Sequence, residues 1–294
     1  MQQMTRLRAK SYAALCAVTV LAACGGSDRP EGEPGFIGRF FESKNPPLET
    51  LTAEEIYKKA EFELEDRKEP EAARLFGEVE RLYPYSDWAK RALIMQAFAF
   101  HKDEDYANSR STAQRYIDFY PADEDAAYAQ YLLALSYYDQ IDEIGRDQGL
   151  TFQALQSLRT VIERYPDSEY ARSSILKFDL AFDHLAAKEM EIGRYYLKRG
   201  HHSAAINRFR VVVEEFQTTT HTPEALHRLV ESYLSLGLTD EAQTAGAILG
   251  YNFQSTDWYD DSFKLLTGRG LELEAAGDSW LRQVYRQVLR GQWL

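Results

Sequence analysis

The sequence predicts an all-α fold, a superhelical solenoid of about five helix pairs, and three observations predict it. From Thr52 onward apolar residues recur every three to four positions and almost never alternate, which is the helical period. Small residues, which two helices need where they cross, stand at Ala60, Ala97, Ala134, Gly193 and, degenerately, Val230, at intervals of 37, 37, 59 and 37. Three helix-like stretches end on Tyr83-Pro84, Tyr120-Pro121 and Tyr165-Pro166, because proline cannot continue a helix.

In chain order, residues 1–23 open with Arg6, Arg8 and Lys10 and continue as small or apolar residues from Tyr12 to Ala23, the layout of a secretory signal. The run is too short for the roughly 20 residues that span a bilayer. It ends on Leu21-Ala22-Ala23-Cys24, which resembles the lipobox of bacterial lipoproteins. The resemblance implies removal of residues 1–23, a covalent N-acyl diacylglycerol (palmitate included) on Cys24 and a membrane tether; no other cofactor is expected. Gly25 leans toward the outer membrane. Residues 24–50 carry Gly25-Gly26, Pro30, Gly32, Pro34-Gly35 and Pro46-Pro47 and read as a linker. Its apolar patch, Phe36 to Phe41, is either part of a disordered spacer or packs on the body or a partner.

Composition narrows the function. The chain has 294 residues and two Cys, Cys16 in the leader and Cys24, so the mature protein forms no internal disulfide. The net charge of −12 becomes −15 once the three basic leader residues are removed. Such an acidic body argues against nucleic acid as a partner.

The body divides into pairs over 52–84, 86–121, 123–166, 188–217 and 222–254. Within a pair, the first-helix small residue precedes a second small residue by 12 positions in four copies (Ala60 to Ala72, Ala97 to Ser109, Gly193 to Ala205, Val230 to Ala242) and by 20 in the third (Ala134 to Ala154). The eight extra residues fall in the polar stretch around Asp142–Asp147, and an extra helix, a possible hinge, is expected between Ser168 and Lys188. Ser86, Asp87, Asp123, Asp167 and Ser168 suit helix N-caps. These spacings resemble the tetratricopeptide repeat. The organisation is then 51–166 for repeats one to three, 167–258 for the extra helix and repeats four and five, and 259–294 for a helical extension. In that extension, Trp280, Leu281, Val284, Tyr285, Val288 and Leu289 form an apolar stripe beside Arg282, Arg286 and Arg290. It reads as a cap on the last repeat, or else as a surface for a partner or the membrane.

No catalytic or metal motif is present, and the protein is expected not to be an enzyme. His201-His202 stand adjacent between helices and point apart, and Asp103–Asp105 and Asp123–Asp125 sit where helices start, so capping explains them better than catalysis. What remains is surface. First-helix positions of such repeats line a groove, here Tyr57, Arg91, Phe98, Lys102, Tyr128, Tyr131 and Tyr138, with about half of the tyrosines expected at the core edge. An aromatic groove with a few cations suits an extended peptide with aromatic side chains.

The stretch Lys188–Gly200 (K-E-M-E-I-G-R-Y-Y-L-K-R-G), continued by Ala204-Ala205-Ile206-Asn207-Arg208-Phe209 and preceded by Phe182–Ala186, is similar to the opening of the fourth repeat in the BamD family of outer-membrane protein assembly lipoproteins. The resemblance, over residues 12–258, implies a lipid-anchored scaffold on the periplasmic face of the outer membrane. It implies contact with the POTRA part of a BamA-like barrel protein through Arg199, with Arg194, Asn207 and Arg208 nearby. It also implies that the N-terminal repeats receive unfolded β-barrel proteins or another assembly lipoprotein. Arg199 reads otherwise as a helix-end cation complementing the dipole. The rival reading is a different periplasmic repeat lipoprotein that scaffolds a peptidoglycan or lipid-transport complex.

Overall fold

The computed structural model describes residues 47–144, 146–273 and 280–281. Cys24, the Phe36–Phe41 patch and Arg282, Arg286 and Arg290 lie outside them. The described residues form eleven α-helices and no strand. They are α1 (Ala53–Glu65), α2 (Glu69–Leu82), α3 (Asp87–Lys102), α4 (Tyr106–Phe119), α5 (Ala126–Tyr138), α6 (Gly149–Arg164), α7 (Glu169–Lys198), α8 (His202–Glu215), α9 (Thr222–Leu236), α10 (Thr239–Asn252) and α11 (Asp257–Thr267). No described helix is long and apolar enough to cross a membrane.

Each helix packs on the next, and α1, α3 and α5 also touch the first helix of the following pair. The first helices therefore crowd together on the inner, concave side, and the second helices splay apart on the convex side. The small residues are what let the pairs close. Ala60, Ala72, Ala97, Ser109, Ala134, Ala154, Ala205, Val230 and Ala242 are all fully buried. Where the small residue is Ser109, its hydroxyl donates to the Ala97 carbonyl (3.0 Å) and accepts from Ser136 (3.0 Å), so the buried polar group is satisfied.

Five of the eleven described helices start on a side-chain cap, at Thr52, Ser86, Asp105, Ser168 and Thr256. Thr52 and Glu55 form a reciprocal capping box, and Ser86 and Ser168 accept from the Ala89 and Ala171 amides. Asp123 departs from expectation. It does not cap α5, whose N-cap position is Asp125. Its carboxylate instead accepts from Lys90 Nζ (2.6 Å) and the Tyr116 hydroxyl (2.7 Å). The Lys90 bond first, then Tyr116, holds the Asp123 carboxyl below its ordinary range, while burial and Asp123 push the Tyr116 phenol well up.

The extra helix expected between Ser168 and Lys188 is not separate. It runs without a break into the first helix of the fourth pair as the 30-residue α7. The reason is local: no proline or glycine stands between Glu169 and Ile192, and Leu185-Ala186-Ala187-Lys188-Glu189-Met190 are good helix formers. The inward stripe also continues unbroken through Ala171, Ser174, Ala181, Leu185 and Met190. After the fifth pair, α11 packs on α9 and α10. His227, buried in α9, meets Ser262 of α11 at 2.8 Å. Trp280 donates to the Tyr233 hydroxyl (3.1 Å) under the Arg210 guanidinium (4.5 Å from the ring centre), and Leu281 is fully buried.

Candidate functional site

Two places collect the residues singled out from the sequence. The first is the inner face of α1, α3, α5 and α7. Tyr57 is buried, wedged between Phe76 (5.3 Å between ring centres) and Trp88 (4.9 Å). Arg91 is exposed and lies over Trp88 (5.4 Å), and the exposed Lys102 lies over half-buried Phe98 (6.0 Å). Tyr128 and Tyr131 each lean on Tyr170, at 5.2 and 5.4 Å. Burial, with Tyr170 and Tyr131 beside it, pushes the Tyr128 phenol up to about 12. Lys177 sits 5.0 Å from the Tyr138 ring centre. Tyr57 thus serves the core, while Arg91, Phe98, Lys102, Tyr128, Tyr131 and Tyr138 keep a solvent-facing part.

Trp88, Tyr170 and Lys177 belong to this surface too, beyond the residues that the repeat register assigns to it. Trp88 and Tyr170 each stand two residues past a serine N-cap, Ser86 and Ser168, and that offset was the available signal. Tyr170 and Lys177 lie in residues 168–188, which the repeat spacing leaves between the third and fourth pairs. In the structure α7 supplies the fourth inner helix from Glu169 onward.

The second place is the corner where α7 turns into α8. Gly193 lets the helices meet: a Cβ there would stand 2.8 Å from Cδ1 and Cζ of the buried Phe209 ring, and closer still to Cε1. The turn closes on Gly200, at φ +75°, which glycine adopts without steric cost. Arg194 forms a two-pronged pair with Glu224 of α9, Nε to Oε1 at 2.9 Å and Nη2 to Oε2 at 2.8 Å. Burial opposes ionisation of Glu224, but the bonds from Arg194 and the charges of Arg194 and Arg228 prevail and hold its carboxyl low. Arg208 reaches back to Glu189 of α7 at 3.1 Å. Arg199 is different. It is exposed, lies over the exposed Tyr195 ring at 4.4 Å, and has no carboxylate in ion-pair range among the described residues. Asn207 is exposed on α8. The corner therefore joins two arginines that brace α7, α8 and α9 to one arginine stacked on a tyrosine and open to solvent.

The YfiO family profile, described as outer membrane lipoprotein, matches residues 49–248. A protein of Caulobacter vibrioides named outer membrane protein assembly factor BamD is 47% identical over 232 residues, 78% of this chain and 76% of the relative. The chain belongs to the BamD family. A second member, from Rickettsia prowazekii and of the same printed name, is 42% identical over 211 residues, 72% of this chain and 84% of the relative. Among solved structures, the P58(IPK) TPR domain aligns at a TM-score of 0.38 and 11% identity, covering 82% of this chain and 66% of that one. The repeat fold here rests on the helix order and the buried small-residue register. The family match takes in both the inner face of α1 to α7 and the α7–α8 corner, which carries Arg199.

Proposed function

We propose that this chain is an outer-membrane protein assembly factor of the scaffold kind. A lipid on Cys24 tethers it to the periplasmic face of the outer membrane, and residues 25–50 set the distance between lipid and body. The α7–α8 corner docks the periplasmic POTRA part of a BamA-like barrel subunit. The aromatic inner face of α1 to α7 receives unfolded β-barrel proteins or another assembly lipoprotein.

One observation carries the docking assignment. Of the three arginines at the corner, Arg194 and Arg208 have carboxylates of their own, while Arg199 is spread over Tyr195 with its guanidinium donors free for a partner carboxylate. A preorganised Arg on a tyrosine face is the kind of anchor that dominates interfaces. The aromatic face supports the second assignment, since tyrosines bury area at low entropic cost and keep a hydroxyl for backbone hydrogen bonds.

The test is co-purification from detergent-solubilised outer membranes, comparing the unaltered chain with Arg199→Glu. Recovery of a large POTRA-containing barrel protein that is lost with Arg199→Glu is the expected result. Retention of that protein by Arg199→Glu removes the contact from this corner. Absence of any barrel partner in both overturns the assembly reading.

A further inference from the structure

The long α7 is covered unevenly. Over its second half α8 packs through Gly193 against Phe209, and α9 through the Arg194–Glu224 pair. α8 ends where Phe216 meets Phe182, 4.9 Å between ring centres. The turn into α9 is tied to Asp183, which accepts from the Thr220 amide (3.0 Å) and hydroxyl (2.8 Å). Ile175 and Leu176 precede Gly193 and Arg194 by 18 residues, about five whole turns, so they point the same way. Among the described residues no helix covers them. Ile175, Leu176 and Leu180 are 45%, 68% and 63% exposed, beside a groove of about 290 Å³ lined by Phe152, Phe178, Phe182 and Phe216. A contiguous apolar stripe of this kind marks an interaction surface.

We infer that this face of α7 docks a second copy of the chain, the two α7 helices lying antiparallel about a two-fold axis beside Leu176. The charge pattern of the face is self-complementary. Arg172, Ile175, Leu176 and Asp179 follow the i, i+3, i+4, i+7 spacing of one helix face. A cation thus stands two turns before an anion, with two apolar residues between them. Turned end for end, the pattern meets itself. Arg172 of each copy lies opposite Asp179 of the other, and Ile175 and Leu176 meet at the axis. Both charged residues are exposed, and neither has an ion-pair partner among the described residues. A two-fold interface requires such self-complementarity. The area also fits. The exposed parts of Ile175, Leu176, Leu180 and Phe152 amount to roughly 400 Å² per copy. A standard interface buries about 800 Å² per partner, a little over half of it apolar, and the stripe supplies that apolar part. The two exposed ion pairs give orientation more than strength, so the dimer is reversible.

Leu176→Cys in the full-length chain tests this in intact membranes, with the unaltered chain, whose cysteines are Cys16 and Cys24, as background. The axis brings the two copies of residue 176 within the roughly 7 Å between Cα atoms that a disulfide spans. Mild oxidation is expected to give a covalent dimer, at twice the monomer mass on a non-reducing gel, with Leu176→Cys. It is expected to give none with Tyr251→Cys, which is similarly exposed on α10. In the Leu176→Cys background, Arg172→Asp or Asp179→Arg alone should lower the dimer fraction about fivefold, since both symmetric ion pairs become repulsive. The two changes together should restore it. No covalent dimer, or equal dimer with Tyr251→Cys, overturns the proposal, and a disulfide to a different protein overturns it in favour of a foreign partner. Single charge reversals without effect, or no recovery when they are combined, overturn the antiparallel pairing.

Discussion

Gly193→Ala tests whether α7 and α8 must touch at the corner. An added Cβ meets the Phe209 ring at 2.8 Å or less, against an ordinary carbon–carbon contact of about 3.5–4.0 Å. Phe209 is fully buried and has no solvent side to swing into. The helices must therefore part by about 1 Å or the ring must leave its rotamer, and overpacking of this kind costs about 1–3 kcal/mol. A clash with the broad part of a buried ring belongs at the upper end, about 3 kcal/mol. Alanine recovers about 1 kcal/mol over glycine inside a helix. The net loss is about 2 kcal/mol, and a body of this size loses roughly 2–4 °C of Tm per kcal/mol. Calorimetry should show Gly193→Ala melting roughly 4–8 °C lower. The matched control is Gly77→Ala, where the Cβ would also come close, at 2.5 Å, but to Gln96 Nε2, the end of a flexible side chain. Moving Gln96 gives up its bond to the Ala73 carbonyl (3.0 Å), about 1 kcal/mol, which offsets the gain from alanine, so that variant should melt close to the parent temperature. Equal melting of Gly193→Ala and the parent would refute the claim that the corner is closed by this contact.

The two corner arginines should separate stability from binding. Arg194→Met leaves Glu224 with only Arg228 at 3.4 Å; after allowance for the partial exposure of Arg194 the cost is about 1 kcal/mol, seen as a Tm lower by roughly 2–4 °C. Arg199→Glu should change Tm by no more than surface substitutions do, about 0.5 kcal/mol, and a large drop would mark it as structural. Ser168→Ala removes the cap of α7 and should cost about 1 kcal/mol in urea unfolding; an unchanged midpoint would show that the long helix starts without it. For Glu231, burial pushes the carboxyl up, but bonds from His227 and then Arg228 outweigh it and hold it at about 2, below the ordinary 4.5. Its contribution is complete above pH 4.5 and is lost as pH falls toward 2. Glu231→Gln should flatten the acid limb of Tm against pH within that window, and an unaltered slope would disprove the assignment.

The repeat register was legible because steric fit at a helix crossing is a local demand. A residue such as Ala60 or Ala97 must be small whatever surrounds it, and its spacing survives in the chain. The join between the expected extra helix and the fourth pair was less legible. Composition marks where a helix must stop, and between Glu169 and Ile192 nothing tells it to. Asp123 illustrates a second limit: an aspartate ahead of a helix reads as a cap, but this one accepts locally only from the Asp125 amide (3.1 Å) and shares its carboxylate with Lys90 and Tyr116, brought in by the stacking of neighbouring pairs. At the corner, sequence supplied the four residues and not their division of labour. Which arginine has a carboxylate depends on Glu189 and Glu224, 19 and 30 positions from their partners.

The unbroken α7 turns residue number into angle. Every residue in it advances the chain by about 1.5 Å and rotates the remainder of the helix by about 100°. The corner that carries Arg199 is thereby indexed to the tyrosines at the other end of the helix, as two gears are indexed by one shaft. A single deletion near Asp179 would turn Arg199 a quarter of the way round and more, while the same deletion in the loop between α5 and α6 would leave the indexing intact. Insertions inside the shaft restore the phase only near whole numbers of turns, about 18 residues for five turns. Tags and spacers therefore belong in residues 139–148, and chimaeras between relatives are best joined there.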